Sequence, residues 1–282
     1  MVDLHVHSNA SDGEHPPGEV VRRAAAAGLT TLALSDHDTV AGVREARRAG
    51  DALAVRVIAA CEFSVRADWG EMHLLAYFLP VDAPVLERML ATQRANRTAR
   101  MEEIVRRLAA LGIAVTMEAV HREAAGGALG RPHAARALVR GRVVGDVNEA
   151  FNRYLGGGKP AFVEKVLPEV ESVTELVRRV GGITSAAHLK DRAGRRALER
   201  LQQQGVDAVE VVHPSHTDQT RQRIAGVAAE LGLLRTGGSD WHGTTHERDP
   251  GRVPLGDITV PATWLDALDE LHRVREPAEA AG

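Results

Sequence analysis

Residues 31–39 read TLALSDHDT. Thr31–Leu34 is an apolar run too short for a helix, and Ser35-Asp36-His37-Asp38 follows it at once. A strand that ends directly in metal-ligating residue types is the unit from which the rest of the chain can be read. It recurs in both directions. Val2–Val6 lies in MVDLHVH, with His5 and His7 at i and i+2 on one strand face. Ala54–Ala60 runs into Cys61 and Glu62, and Met72–Phe78 carries His73. Gly182–Ala187 ends in His188, Ala208–Val212 in His213, and Leu233–Thr236 is followed by GGSDWHG at 237–243, with Asp240 and His242. Between these runs lie helical patterns, at Pro16–Ala27, Val40–Arg48, Val173–Val180, Arg195–Gln204, Thr217–Leu231 and Thr263–His272. Strands alternating with helices predict an α/β fold with a parallel sheet. Six or seven strands in 282 residues favour barrel-like closure over an open sheet.

One stretch breaks the rhythm. From 83 to 154 the pattern is helical, at Pro84–Leu111, Met117–Ala124, Pro132–Val139 and Val147–Tyr154. We read 83–154 as a helical insertion subdomain, and 1–82 with 155–282 as the barrel.

Composition narrows the function. A net charge of −3 argues against a protein that coats duplex DNA. Aromatic residues make up 3% of the chain, too few for a platform binding long single strands. One cysteine, Cys61, excludes a disulfide framework and a Cys-rich zinc module. No apolar run approaches the ~20 residues needed to cross a bilayer. MVDLHVH has no signal-peptide pattern, so a cytoplasmic protein without an obligate protein partner is expected. Only three of the 35 basic residues are Lys (Lys159, Lys165, Lys190), which makes any single Arg weak testimony for anion binding. The 13 His are different, because most cluster with Asp, Glu or one another at strand ends. His121, His246 and His272 read as surface residues.

The C-terminal strand ends of a parallel barrel meet on one rim. The His and carboxylates that follow the strands should therefore meet in space. Asp12, in the loop SNASDGEH, should join them. Their number exceeds what one tetrahedral ion needs and fits two or three divalent ions. Nitrogen and oxygen ligands suit Mn, Zn or Fe(II) rather than thiolate-bound metals. A site of two or more such ions suits phosphate-ester hydrolysis.

These motifs resemble a known family. H-x-H at His5/His7, S-D-G at Ser11–Gly13, S-D-H-D-T at Ser35–Thr39, A-C-E-F at Ala60–Phe63 and G-G-S-D-W-H-G at Gly237–Gly243 resemble the PHP (polymerase and histidinol phosphatase) family. R-P-H-A-A-R-A-L at Arg131–Leu138, Y-L-G-G-G-K-P-A at Tyr154–Ala161 and V-H-P-S-H at Val212–His216 resemble its stand-alone branch of 3′,5′-nucleoside bisphosphate phosphatases that also trim short RNA. The resemblance implies a distorted (β/α)7 barrel. His5, His7, Glu62 and Asp240 would hold one ion. Glu62 would bridge to a second, completed by His73 and His188. Asp12, His37 and His242 would hold a third. Mn is the first expectation for the metal. The expected nucleophile is a metal-bound hydroxide, with His213 as general-acid candidate.

Substrate contacts are expected from Arg131, His133, Lys159 and His213. Arg131 and His133 open a helix, whose N-terminus favours anions, and Lys159 follows three glycines. The expected substrate is a small nucleotide, a 3′,5′-bisphosphonucleoside cut at its 3′-phosphate, or short 5′-phosphorylated RNA. A histidinol-phosphate-type phosphomonoesterase and a metal-dependent amidohydrolase are the alternatives. The latter's carbamylated Lys has no counterpart here, since Glu62 occupies the bridging position.

Overall fold

A computed structural model describes residues 1–244 and 253–275. Seven strands follow one another in sheet order: β1 (Val2–Val6), β2 (Thr31–Leu34), β3 (Arg56–Ala67), β4 (Gly70–Tyr77), β5 (Ile183–Ala186), β6 (Ala208–Val212) and β7 (Leu234–Gly237). The segment after β7 closes the circle onto β1. Asp240 N–H donates to His5 O at 2.8 Å, and His7 N–H donates to Trp241 O at 2.9 Å. The sheet is thus nearly closed into the distorted barrel expected, although one strand runs the other way.

β4 is antiparallel to both β3 and β5. The reason is local. β3 runs 12 residues, past Glu62, and turns at Ala67–Gly70 straight into β4, leaving no chain for a crossover helix. The expected strand end at Ala60 is therefore a strand middle. Reversal also explains His73. A residue near the start of an antiparallel strand lies at the same barrel end as the C-terminal ends of its neighbours.

Helices pack outside the barrel. In α1 (Pro17–Ala26), proline sits in the first turn, where its missing N–H costs nothing, and Val20, Val21 and Ala24 are buried. α2 (Val43–Leu53) starts and ends later than its apolar pattern suggests, closing on Ala54 in the left-handed region at φ 55°. Between β4 and β5 come α3 (Pro84–Ala110), α4 (Met117–Ala124), α5 (Arg131–Arg140), α6 (Val147–Ala150) and a π-helical turn, Phe151–Leu155. They bury a core of their own around Met101, Ile104, Leu108, Val120, Leu138 and Leu155. α7 (Val170–Arg179), α8 (Arg195–Gln203), α9 (Asp218–Leu231) and α10 (Ala262–Arg275) complete the outer layer. His272, on α10, is not a free surface residue: it donates to Gly181 O at 2.8 Å and stacks on Phe78. His246 lies outside the described residues. No helix among them is long and apolar enough to cross a membrane.

Candidate metal centre

Asp3 and His5 share one face of β1, and His7 follows at the next alternate position just beyond its end. His5 and His7 are fully buried, and their Nε2 atoms lie 3.1 Å apart. Glu62, at the centre of β3 and 1% exposed, reaches five imidazoles. Its Oε2 is 3.2 Å from His5 Nε2, 3.2 Å from His7 Nε2 and 3.3 Å from His37 Nδ1. Its Oε1 is 2.8 Å from His73 Nδ1 and 3.0 Å from His188 Nε2. Asp240 Oδ1 lies 3.4 Å from His5 and 3.3 Å from His7. Asp12 Oδ1 lies 3.3 Å from His242 Nε2. All nine expected ligands thus gather in one cluster, seven of them lining a single cavity and His5 and His7 buried behind it.

Three groups bring ligand atoms within 4.8 Å of one another: His5, His7, Glu62 and Asp240; His37, Glu62 and His73; and His7, Asp12, His37 and His242. The grouping differs in detail from the expected one. His7 and His37 each stand between two groups, and His188 joins through Glu62. The donor set fits divalent cations. Among the described residues the buried His7 Nδ1 makes no hydrogen bond, a cost that a cation taken up there would relieve.

The loops that carry these ligands are built for close approach. Asp36 accepts from Ser8 N–H at 2.8 Å, Ser8 Oγ at 2.6 Å and Ser11 Oγ at 2.6 Å, which fixes the loop that carries Asp12. A Cβ on Gly238 would fall 2.5 Å from His5 N, so only glycine lets the loop after β7 pass β1. His188 at φ 31° and Asp240 at φ 50° are held in the left-handed region, a strain found at sites that the surrounding fold over-determines.

Two carboxylates missed in the sequence orient the rings. Glu210, buried in β6, accepts from His5 Nδ1 at 3.0 Å and from His188 N–H at 2.7 Å. Glu71 accepts from His73 Nε2 at 3.3 Å and pairs with Lys165. Such partners fix the tautomer and raise the basicity of a ligating imidazole. The only local signal for Glu210 is a charge inside the apolar run AVEVV.

Burial works against every charge here, and the neighbours decide the outcome. Despite burial, the imidazoles around Glu62 hold its carboxyl well below the usual range, and Asp12 and Asp240 are held low in the same way. Burial depresses His7 and His73, but Asp240 and Glu62 raise His7 to about 10 and Glu62 raises His73 to about 9. The sign follows. Without ions these two imidazoles keep their protons at pH 8. That charge pairing stabilises the ion-free fold fully below pH ~6.5 and is lost as pH rises through about 9 to 10. Cation uptake at pH 8 must therefore expel protons. Titrating chelator-stripped protein with Mn²⁺ in indicator-buffered solution should release at least about one proton per chain at pH 8. Uptake with no proton release would contradict this set of ligands.

The expected substrate contacts divide. His213 lines the cavity with the ligands, in a volume of about 400 Å³. Its Nδ1 accepts from Ser215 N–H at 3.0 Å, which leaves the proton on Nε2, 3.4 Å from Asp240. Arg131 lines an adjoining cavity of about 270 Å³, which shares His73, His188 and Lys190 with the first. Its guanidinium is held over Phe151 and Phe162 and donates to Leu155 O at 3.3 Å.

His133 and Lys159 do not reach either cavity. His133 is 1% exposed, and its Nδ1 accepts from Gly130 N–H at 2.9 Å. As the third residue of α5, it folds back to cap its own helix, and burial pushes it down to about 4, so it carries no charge for a phosphate. Lys159 lies exposed on a turn closed by its own N–H to Gly156 O at 3.0 Å. In their place the structure brings Lys190 and Arg192, on the short 3-10 turn after His188, to the wall beside Arg131.

Comparison with known proteins follows the same lines. The PHP domain model matches residues 3–139. The chain is 34% identical to a 5′-3′ exoribonuclease of Haemophilus influenzae, over 85% of this chain and 89% of that one. It is 33% identical to a 3′,5′-nucleoside bisphosphate phosphatase of Chromobacterium violaceum, over 86% and 87%. A solved structure from Bifidobacterium adolescentis, assigned to the metal-dependent phosphoesterases, superimposes with a TM-score of 0.87 at 28% identity, covering 100% of this chain and 98% of that one.

Proposed function

Because the chain belongs to the PHP domain family of metal-dependent phosphoesterases, we propose that it removes the 3′-phosphate of 3′,5′-bisphosphonucleosides. Short 5′-phosphorylated RNA is the second substrate, since it offers the same terminal nucleotide. The observation that carries this reading is the pair of adjoining cavities. One is walled by seven of the nine expected ligands, with His5 and His7 buried behind them, while the other is lined by three cations, Arg131, Lys190 and Arg192, against one carboxylate, Glu71. Glu71 is already engaged by Lys165 and His73. A substrate with two phosphates matches one reactive site and one holding site.

The nine ligands would hold two or three divalent ions, with Mn²⁺ the first choice and Zn²⁺ or Fe²⁺ the alternatives for this N/O donor set. When bound, such ions supply a nucleophilic water near neutral pH and offset charge on the phosphoryl group. The chain's own residues do the rest. Glu62, Asp12 and Asp240 keep their negative charge. Glu210 and Glu71 fix the faces of His5 and His73. Arg131 positions the second phosphate with a guanidinium already immobilised by two rings, so little entropy is lost on binding. His213 accepts from Ser215 N–H at Nδ1 and turns Nε2 to Asp240, so it would hold that carboxylate in place rather than protonate the leaving oxygen. A histidinol-phosphate-type phosphomonoesterase has no use for the second cationic cavity. An amidohydrolase has no counterpart to the cations placed for a second phosphate.

Arg131→Ala tests the holding site. It should raise KM for adenosine 3′,5′-bisphosphate ten- to a hundredfold, corresponding to about 1.5–3 kcal/mol of charge-assisted bonding. Ion content should stay at the wild-type value. Lost ions with an unchanged KM would assign Arg131 to the metal centre instead.

A further inference from the structure

Trp69 sits in the tight turn between β3 and β4, next to Gly70, whose partner across the hairpin is Ala67. It is half-buried, and its inner side packs against the main core. Its remaining surface lines the cationic cavity, together with Met72 and Leu189. Apart from imidazoles, it is the one aromatic side chain among the described residues on either of the two adjoining cavities. In a chain with so few aromatic residues, this position is unusual. The cavity's other wall carries Lys190 and Arg192, exposed cations with no side-chain hydrogen bond or ion pair among the described residues. Lys190 is held in the left-handed region at φ 52°.

Given the bisphosphonucleoside reading above, we propose that Trp69 is the platform on which the base of the substrate's terminal nucleotide stacks. The chemistry favours a nucleobase over other apolar groups. The cavity offers an indole backed by the main core beside cations that take phosphate, and a nucleotide presents a planar ring together with its phosphates. Its volume of about 270 Å³ suits one nucleoside and not a length of strand. Every base has a π-face, so the platform asks that a base be present and tolerates which one it is.

The test separates base from phosphate. For the wild type, kcat/KM should be about ten- to a hundredfold higher for adenosine 3′,5′-bisphosphate than for methyl ribofuranoside 3,5-bisphosphate, which has no base. Trp69→Ala should bring that ratio to within a few-fold of one, and Trp69→Phe should keep most of it. A second readout does not depend on the alanine variant folding. AMP added to the Mn²⁺-loaded wild type should quench tryptophan fluorescence, and ribose 5-phosphate should not. In Trp69→Phe the quench should vanish, because Trp241 is buried and Trp264 lies under Arg235, away from the cavity. A base ratio that survives Trp69→Ala, or an AMP quench that survives Trp69→Phe, overturns the platform. If the wild type shows no preference for bisphosphates over monophosphates, the functional reading falls first. If it prefers bisphosphates but ignores the base, only the platform falls.

Discussion

Glu62→Gln should lower kcat/KM for phosphate release by about a thousandfold or more and strip the protein of divalent ions. The size of the effect follows from the number of groups that converge on this one carboxylate. Its two oxygens lie within 3.3 Å of His5, His7, His37, His73 and His188, and it is 1% exposed. It is also common to two of the three ligand groups. An amide keeps the shape and loses the charge that offsets neighbouring cations. At ion–ion spacings of a few ångströms in a low-dielectric interior that repulsion is worth several kcal/mol. Ion content by mass spectrometry, read beside kcat/KM, checks the expectation. A cooperative melting transition of the ion-free variant well above the assay temperature would show that the loss is not unfolding. Full ion content with full turnover would remove Glu62 from the bridging position.

Taking the holding phosphate off the substrate should cost nearly as much. 3′-AMP keeps the reactive phosphate of adenosine 3′,5′-bisphosphate and lacks the other. Its kcat/KM should be lower by about two to three orders of magnitude. Two effects add. The cations of the second cavity lose their only unshared anion, because Glu71 is engaged by Lys165 and His73. The reactive phosphate also loses its anchor, and orientation of a bound group carries a large share of rate enhancement. Histidinol phosphate should fall with 3′-AMP, since it too carries one phosphate.

Most of the candidate ligands were legible in the sequence because they stand at or just beyond the ends of strands. TLALSDHDT and MVDLHVH each carry a strand signal and its ligands in fewer than ten residues. No long-range knowledge is needed to see that such ends share a rim. The course of β3 was less legible. Cys61 and Glu62 look like a strand end, yet the pairing with β4 carries on for several residues beyond them. The reversal of β4 depends on the short turn at Asp68–Trp69, a tertiary fact with a weak local signal.

Of the residues expected to hold phosphate, His133 and Lys159 lie away from both cavities. His133 at a helix start resembles an anion ligand, but a side chain three residues into a helix is as well placed to cap its own N-terminus. Lys159 after three glycines resembles a phosphate cradle, but the glycines close an exposed turn. Lys190 and Arg192 gave no pattern of their own. Their place beside Arg131, some sixty residues earlier in the chain, comes from the barrel bringing β4 and β5 together. Glu210 was hidden for the same reason, since it meets His5 205 positions away.

The central claim is a reactive metal cavity joined to a separate phosphate-holding cavity. The most direct measurement is kcat/KM with saturating Mn²⁺ for adenosine 3′,5′-bisphosphate, for 3′-AMP and for 5′-AMP, with AMP and phosphate quantified as products. The account predicts release of the 3′-phosphate, leaving 5′-AMP, with a ratio of about a hundred or more over each monophosphate and none of this activity after chelation. Ratios near one, or equal turnover in the chelated protein, would contradict it.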